Sequence, residues 1–175
     1  SDNEGLSVPG PEGYALVLGL GNGADRLTEL AGRYHVIAVD PDVKLVDAAR
    51  KRLDEVGIYG RRAHVIAGDP SALEFPPYMA SKIEIRGERV AGFAEGHDLA
   101  KRVWRSLRPY GGVAEVSGEK LAAEFAKAAG ALEPEGGIMQ LVPDKSAVRL
   151  TRAGALSGSA CWSHENADVA NSVVS

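Results

Sequence analysis

The sequence predicts a three-layer α/β/α sandwich whose mostly parallel seven-stranded sheet closes on a C-terminal antiparallel hairpin. Three observations carry that prediction. Apolar runs at 14–18, 36–39 and 64–67 alternate with segments whose apolar residues recur at helical spacing, the pattern of parallel strands covered by helices on both faces. The first run feeds three alternate glycines, Gly19, Gly21 and Gly23, directly ahead of a helix. The last two apolar runs, 138–142 and 147–151, are joined by Pro143-Asp144-Lys145-Ser146, which is turn chemistry.

Residues 1–13 are polar and then rich in Gly and Pro, and read as an irregular arm. The strand at 14–18 is followed by a short helix in which Leu27, Leu30 and Ala31 repeat on one face and Gly32 supplies the stop. After strand two, Asp40-Pro41-Asp42 opens a second helix, with the proline near its first position and Val43, Val46, Ala49 and Leu53 on one face; Gly57 closes it. Strand three, 64–67, again ends in a turn, Gly68-Asp69-Pro70. Residues 71–78 hold two prolines and little periodicity and read as a loop or broken helix. Strand four is placed at 81–85. Leu99, Val103 and Leu107 step by four beside Ala100 and Trp104, giving a helix over 98–107 that Pro109–Gly112 breaks before strand five at 113–116. An alanine-rich helix over 119–129, with Leu121, Ala122 and Phe125 inward and Gly130 at its end, precedes the hairpin. Beyond Arg152 the periodicity stops, so 153–175 reads as an extended tail or linker and 14–152 as the folded domain.

The 175 residues give room for one domain with a proper core. A formal charge of −4 and a pI near 5.6 leave no global footprint for nucleic acid or an anionic membrane surface. The local basic run Lys51-Arg52 with Arg61-Arg62 reads as a solvated face. A single cysteine, Cys161, excludes an internal disulfide framework. No stretch approaches the ~20 apolar residues of a membrane span, so a soluble chain is expected, with the cytoplasm as default compartment. The four histidines and the cysteine show no ligand spacing, and no metal site is expected.

The chemistry is concentrated at the ends of the first three strands. Glycines let the backbone take conformations that a Cβ blocks and let a ligand approach main-chain amides at a helix start. Asp40 ends strand two about 17 residues after Gly23, where a carboxylate can accept ribose hydroxyls. Asp40 before Pro41 also fits a helix cap. Gly19, Gly21 and Ala24 satisfy the loose dinucleotide fingerprint as well, which keeps an NAD-dependent oxidoreductase open. Asp69 favours a different ligand, because a carboxylate after strand three can bond an adenine amino group that a pyrophosphate cradle leaves unused; as a plain turn residue before Pro70 it has a second explanation.

With Gly19-x-Gly21-x-Gly23, Asp40 and Gly68-Asp69 behind three successive strands, the chain resembles the class I S-adenosylmethionine-dependent methyltransferases over residues 14–152, a Rossmann-like methyltransferase fold. Leu107-Arg108-Pro109-Tyr110-Gly111-Gly112 is similar to the family's "LRPGG" turn before strand five, with a tyrosine inserted. The resemblance implies S-adenosylmethionine as cofactor and S-adenosylhomocysteine (SAH) as product. The glycine turn lies under the methionine part, Asp40 serves the ribose and Asp69 the adenine, with Gly19, Leu20, Gly21, Asn22, Gly23, Asp40, Pro41, Gly68, Asp69 and Pro70 as the binding set.

No catalytic residue is assigned. The segment after strand four, 87–97, carries Glu88, Arg89, Glu95 and His97 without a signature; His97 fits a base or a surface histidine. Phe75-Pro76-Pro77-Tyr78 differs from the Asn/Asp-Pro-Pro-Tyr motif of amino methyltransferases in its first residue and in preceding strand four, and reads as a rigid wall beside the cofactor. The expected acceptor is a small molecule or a partner-borne group, with no nucleic acid. The absence of an acceptor signature leaves a second reading, a non-catalytic scaffold or nucleoside sensor. Residues 154–164, followed by Asp168-Val169-Ala170-Asn171-Ser172, look like the lead-in to a quinoprotein-type (pyrroloquinoline-quinone-binding-like) β-propeller. That resemblance implies a domain excised from a bacterial multidomain chain.

Overall fold

The computed structural model describes residues 11–21, 23–87, 96–132, 138–144 and 146–154, without the side chains at 96, 97, 141, 143 and 144. The elements are β1 (Tyr14–Leu18), α1 (Ala24–Ala31), β2 (His35–Asp40), α2 (Val43–Glu55), β3 (Ala63–Ala67), a 3-10 turn (Pro70–Ala72), β4 (Ala80–Arg86), α3 (Gly96–Ser106), β5 (Gly112–Ser117), α4 (Glu119–Ala131), β6 (Ile138–Asp144) and β7 (Ala147–Ala153). One seven-stranded sheet runs in the order β3-β2-β1-β4-β5-β7-β6. β1 to β5 are parallel, and β7 pairs antiparallel with both β5 and β6. Strand order reverses between β1 and β4, and in open α/β sheets that reversal leaves a crevice at the carboxyl ends of the strands.

The alternation within β1 divides the core in two. Ala15 and Val17 pack with Leu27 and Leu30 of α1 and Val46 and Leu53 of α2. Leu16 and Leu18 point to the other face, toward Val103 and Trp104 of α3 and Phe125 of α4. Each fully buried leucine contributes about 1.5–3 kcal/mol, and this two-sided burial holds the β1 terminus rigid. On the α1 side, the sheet beyond β1 carries a line of ion pairs, Arg26–Glu84–Lys82–Glu115–Arg149, running from α1 across β4 and β5 to β7. Among the described residues no helix covers that part of the face, and no helix is long and apolar enough to cross a membrane.

The predicted architecture is the observed one, with local differences. Pro41 stands before the cap of α2 rather than inside the helix. The Asp40 carboxylate accepts the Asp42 N–H at 2.8 Å, which folds 40–42 into an Asx turn and leaves Asp42 as the cap, accepting from the Lys44 and Leu45 amides at 2.9 and 3.4 Å. The expected loop at 71–78 begins as a 3-10 turn because Asp69 caps it and Pro70 presets its first position. Gly130 lies inside α4, and extended Leu132 ends that helix. β6 continues through Pro143, which an edge strand tolerates. In the turn before β5, the inserted Tyr110 and the following Gly111 take left-handed φ of 61° and 107°. Most of the 1–13 arm, the acceptor segment 88–95 and the tail 155–175 lie outside the described residues.

Candidate functional site

The turn after β1 is built by main-chain bonds. Gly19 has φ 93° and donates its N–H to the Val39 carbonyl at 2.9 Å. Leu20 follows, 1% exposed, and donates its N–H to Asp40 Oδ2 at 2.7 Å. Gly23 has φ 77° and precedes α1, and among the described residues no side chain caps that helix, so its first amides open toward the turn. Asn22 lies outside the described residues.

Asp40 is the hub of the site. It is 0% exposed; its Oδ2 receives Leu20, its Oδ1 receives Asp42, and its carbonyl receives the Gly68 N–H at 3.1 Å. One residue therefore joins the ends of β1, β2 and β3. Carboxylate bonds to main-chain N–H groups are charge-assisted and roughly twice as strong as neutral ones. The same bonds answer why Asp40 stands before Pro41: the cap of α2 belongs to Asp42, and Asp40 fixes the glycine turn. Pro41 beside it is exposed and Pro70 is buried.

Asp69 is exposed. Its Oδ1 accepts the Ser71 hydroxyl at 2.7 Å and the Ser71 N–H at 2.9 Å. The hydroxyl first and the amide second hold its carboxyl below the usual carboxylate range. Its turn role is thus present at the same strand-end rim as Gly68 and Asp40.

Arg86, the last residue of β4, was not singled out from the sequence. A Cβ on Gly21 would lie 2.8 Å from Arg86 Cδ and Cζ, so the second glycine of the turn admits a side chain of the protein itself. The available signal was positional: in Ile83-Glu84-Ile85-Arg86 the charged residues alternate toward the carboxyl end of the strand next to β1. Glu84, 7% exposed, is held by Arg26 of α1, whose Nε reaches its two oxygens at 3.1 and 3.2 Å. Contact with Glu84 raises the Arg26 pKa further above its ordinary value.

Pro76 and Pro77, expected as a wall beside the cofactor, line a groove of about 290 Å³ with Glu74, Phe75, Arg102, Arg105 and Ser106. Tyr78, at φ 59°, anchors the end of that wall by donating its N–H to the Arg105 carbonyl at 3.0 Å. Among the described residues no group of three or more His, Cys, Asp and Glu side chains is placed to hold a metal ion.

No family model matches the chain, and no curated protein matches it. Solved structures do. SMU.1697c of Streptococcus mutans, assigned as a methyltransferase and solved with SAH, superposes with TM-score 0.62 at 13% identity, over 81% of this chain and 89% of its own. A methyltransferase of Geobacter sulfurreducens gives 0.53 at 20% identity, over 78% and 70%. The [4+2]-cyclase SpnF gives 0.56 at 14% identity over 78% of this chain; the chain spans 55% of the cyclase. At these identities the likeness concerns the backbone alone. The chain has the Rossmann-like fold of the class I S-adenosylmethionine-dependent methyltransferases.

Proposed function

We propose that this domain binds S-adenosylmethionine across the carboxyl ends of β1, β2 and β3 and transfers its methyl group to a small-molecule or partner-borne acceptor. The observation that carries this reading is the junction at Asp40, which accepts the Leu20 N–H of the glycine turn leading into α1 and the Gly68 N–H of the turn after β3, and so ties three strand ends into one rim beside the switch point of the sheet. Such a rim fits a nucleoside carrying a short polar tail, and the cofactor would supply a methyl group already activated on sulfur. Gly19, Leu20, Gly21, Asn22 and Gly23 would meet the tail, with Asp40, Pro41, Gly68, Asp69 and Pro70 on the nucleoside side. Asp40, having no surface of its own, would act by fixing the Leu20 and Asp42 amides, and a direct ribose bond to it would require the turn to open.

The test is calorimetry with S-adenosylmethionine and SAH. Micromolar binding of both is expected, and no binding of either at millimolar ligand overturns the reading. The likeness to a [4+2]-cyclase covers 78% of this chain, and a fold does not fix a reaction. Turnover is therefore a separate test: labelled methyl transfer across an acceptor panel, against the scaffold reading that expects binding without transfer. The similarity of 154–172 to a propeller lead-in carries a further reading, service within a larger chain, which the coding sequence flanking this domain tests.

A further inference from the structure

Arg86 has a feature that the fold alone does not require. Its side chain lies against Gly21 in the glycine turn, and its Nε is buried with no hydrogen-bond partner among the described residues. The acids nearby are engaged elsewhere, Glu84 with Arg26 and Lys82 and Glu115 with Lys82 and Arg149. A buried donor left unmatched is unfavourable until something supplies an acceptor. Arg86 also lines a cavity of about 300 Å³ at the carboxyl ends of β4 and β5, walled by Arg26, Glu84, Glu115, Ser117 and Ala147. That volume admits an amino-acid-sized group, and walls of both signs suit a zwitterion.

We propose that Arg86 is a carboxylate-recognition residue, its guanidinium taking a ligand carboxylate where this cavity meets the glycine turn. A planar fork matches a carboxylate in two parallel bonds, which a lysine does not reproduce. The proposal rests on the donor-site reading above. The one anionic group of that donor is the carboxylate of its methionyl end, and a carboxylate-bearing acceptor offers the same chemistry, so the experiment has two arms.

In the first arm, wild type and Arg86→Met are titrated with SAH and with 5′-methylthioadenosine, which keeps the nucleoside and thioether but lacks the amino-acid end. Arg86→Met weakens SAH by roughly tenfold or more and leaves methylthioadenosine within about twofold; retained methylthioadenosine binding also reports that the variant is folded. Arg86→Lys, which keeps the charge but lacks the planar fork, recovers only part of the lost SAH affinity. In the second arm, acetate and glycine are titrated into protein saturated with methylthioadenosine and followed by amide chemical shifts. Shifts that need Arg86, with SAH indifferent to its replacement, assign the carboxylate to a second molecule. Equal effects of Arg86→Met on both nucleosides, tighter binding of both, or no dependence on Arg86 in either arm overturns the proposal. Wild type that binds neither nucleoside removes the donor-site reading itself, and this one with it.

Discussion

The buried carboxylate of Asp40 receives the main-chain N–H of Leu20, 20 residues earlier in the chain, at 2.7 Å. With the second oxygen held by Asp42 at 2.8 Å, Asp40→Asn turns one of two accepting oxygens into a donor facing an N–H. The expected cost is about 1–3 kcal/mol, read as a lower urea midpoint at unchanged slope. Asp40→Ala removes both bonds and costs more. On the proposed donor-site reading both variants are expected to lose SAH binding beyond what their stability explains, because the glycine turn is then no longer held.

The glycines of the turn separate by mechanism. A Cβ at Gly23 meets nothing within 4 Å, so Gly23→Ala pays only for its backbone, φ 77° and ψ −150°, a region essentially reserved for glycine that costs about 1–3 kcal/mol. Gly21 is not left-handed, and its obstacle is the flexible Arg86 side chain; Gly21→Ala is expected to cost under about 1 kcal/mol. Denaturation midpoints rank the two, and the reverse order contradicts the assignment.

Asp69 gives a pH-dependent test. Its folded pKa is lowered, first by the Ser71 hydroxyl and then by the Ser71 amide, so its contribution is present above the unfolded value near 4 and lost as pH falls through the folded value. Carboxyl-carbon NMR is expected to place its titration below the usual range. Ser71→Ala, which deletes the larger cause, moves it back up.

Arg152 is 1% exposed. Its Nη1 donates to the Trp104 and Leu107 carbonyls at 2.9 and 3.1 Å, and its guanidinium lies over the Trp104 and Tyr78 rings at 4.7 and 5.0 Å. A cation placed there also answers the negative end of α3. Arg152→Ala is expected to cost about 3–5 kcal/mol by thermal or urea unfolding, and Arg152→Lys to recover only part of it, since an ammonium lacks the planar fork.

The sheet was legible because its signal is local: 14–18 and 36–39 are as apolar as inner strands require, 64–67 is apolar enough for a strand although it forms a half-exposed edge, and each run is followed by glycine or aspartate. The third dimension was less so. Asp42 rather than Asp40 caps α2 because Asp40 is drawn to Leu20, a contact that no spacing encodes. In sequence, Glu84 is one polar position of an alternating strand and Arg86 falls just past the expected end at 85. Their meaning comes from β4 lying next to β1 and α1, a consequence of strand order. The buried Arg152 was hidden in the same way, since a charged residue in a hairpin strand reads as outward until α3 is laid across it.

Pro143 bears on how this domain behaves among copies of itself. β6 ends the sheet, and an outermost ribbon with every amide on offer invites a neighbour's chain to extend it. An imino acid carries no N–H, and proline is one of the residues by which natural edge strands discourage edge-to-edge pairing, so stepwise growth into fibrils from this border meets an interruption written into the covalent chain.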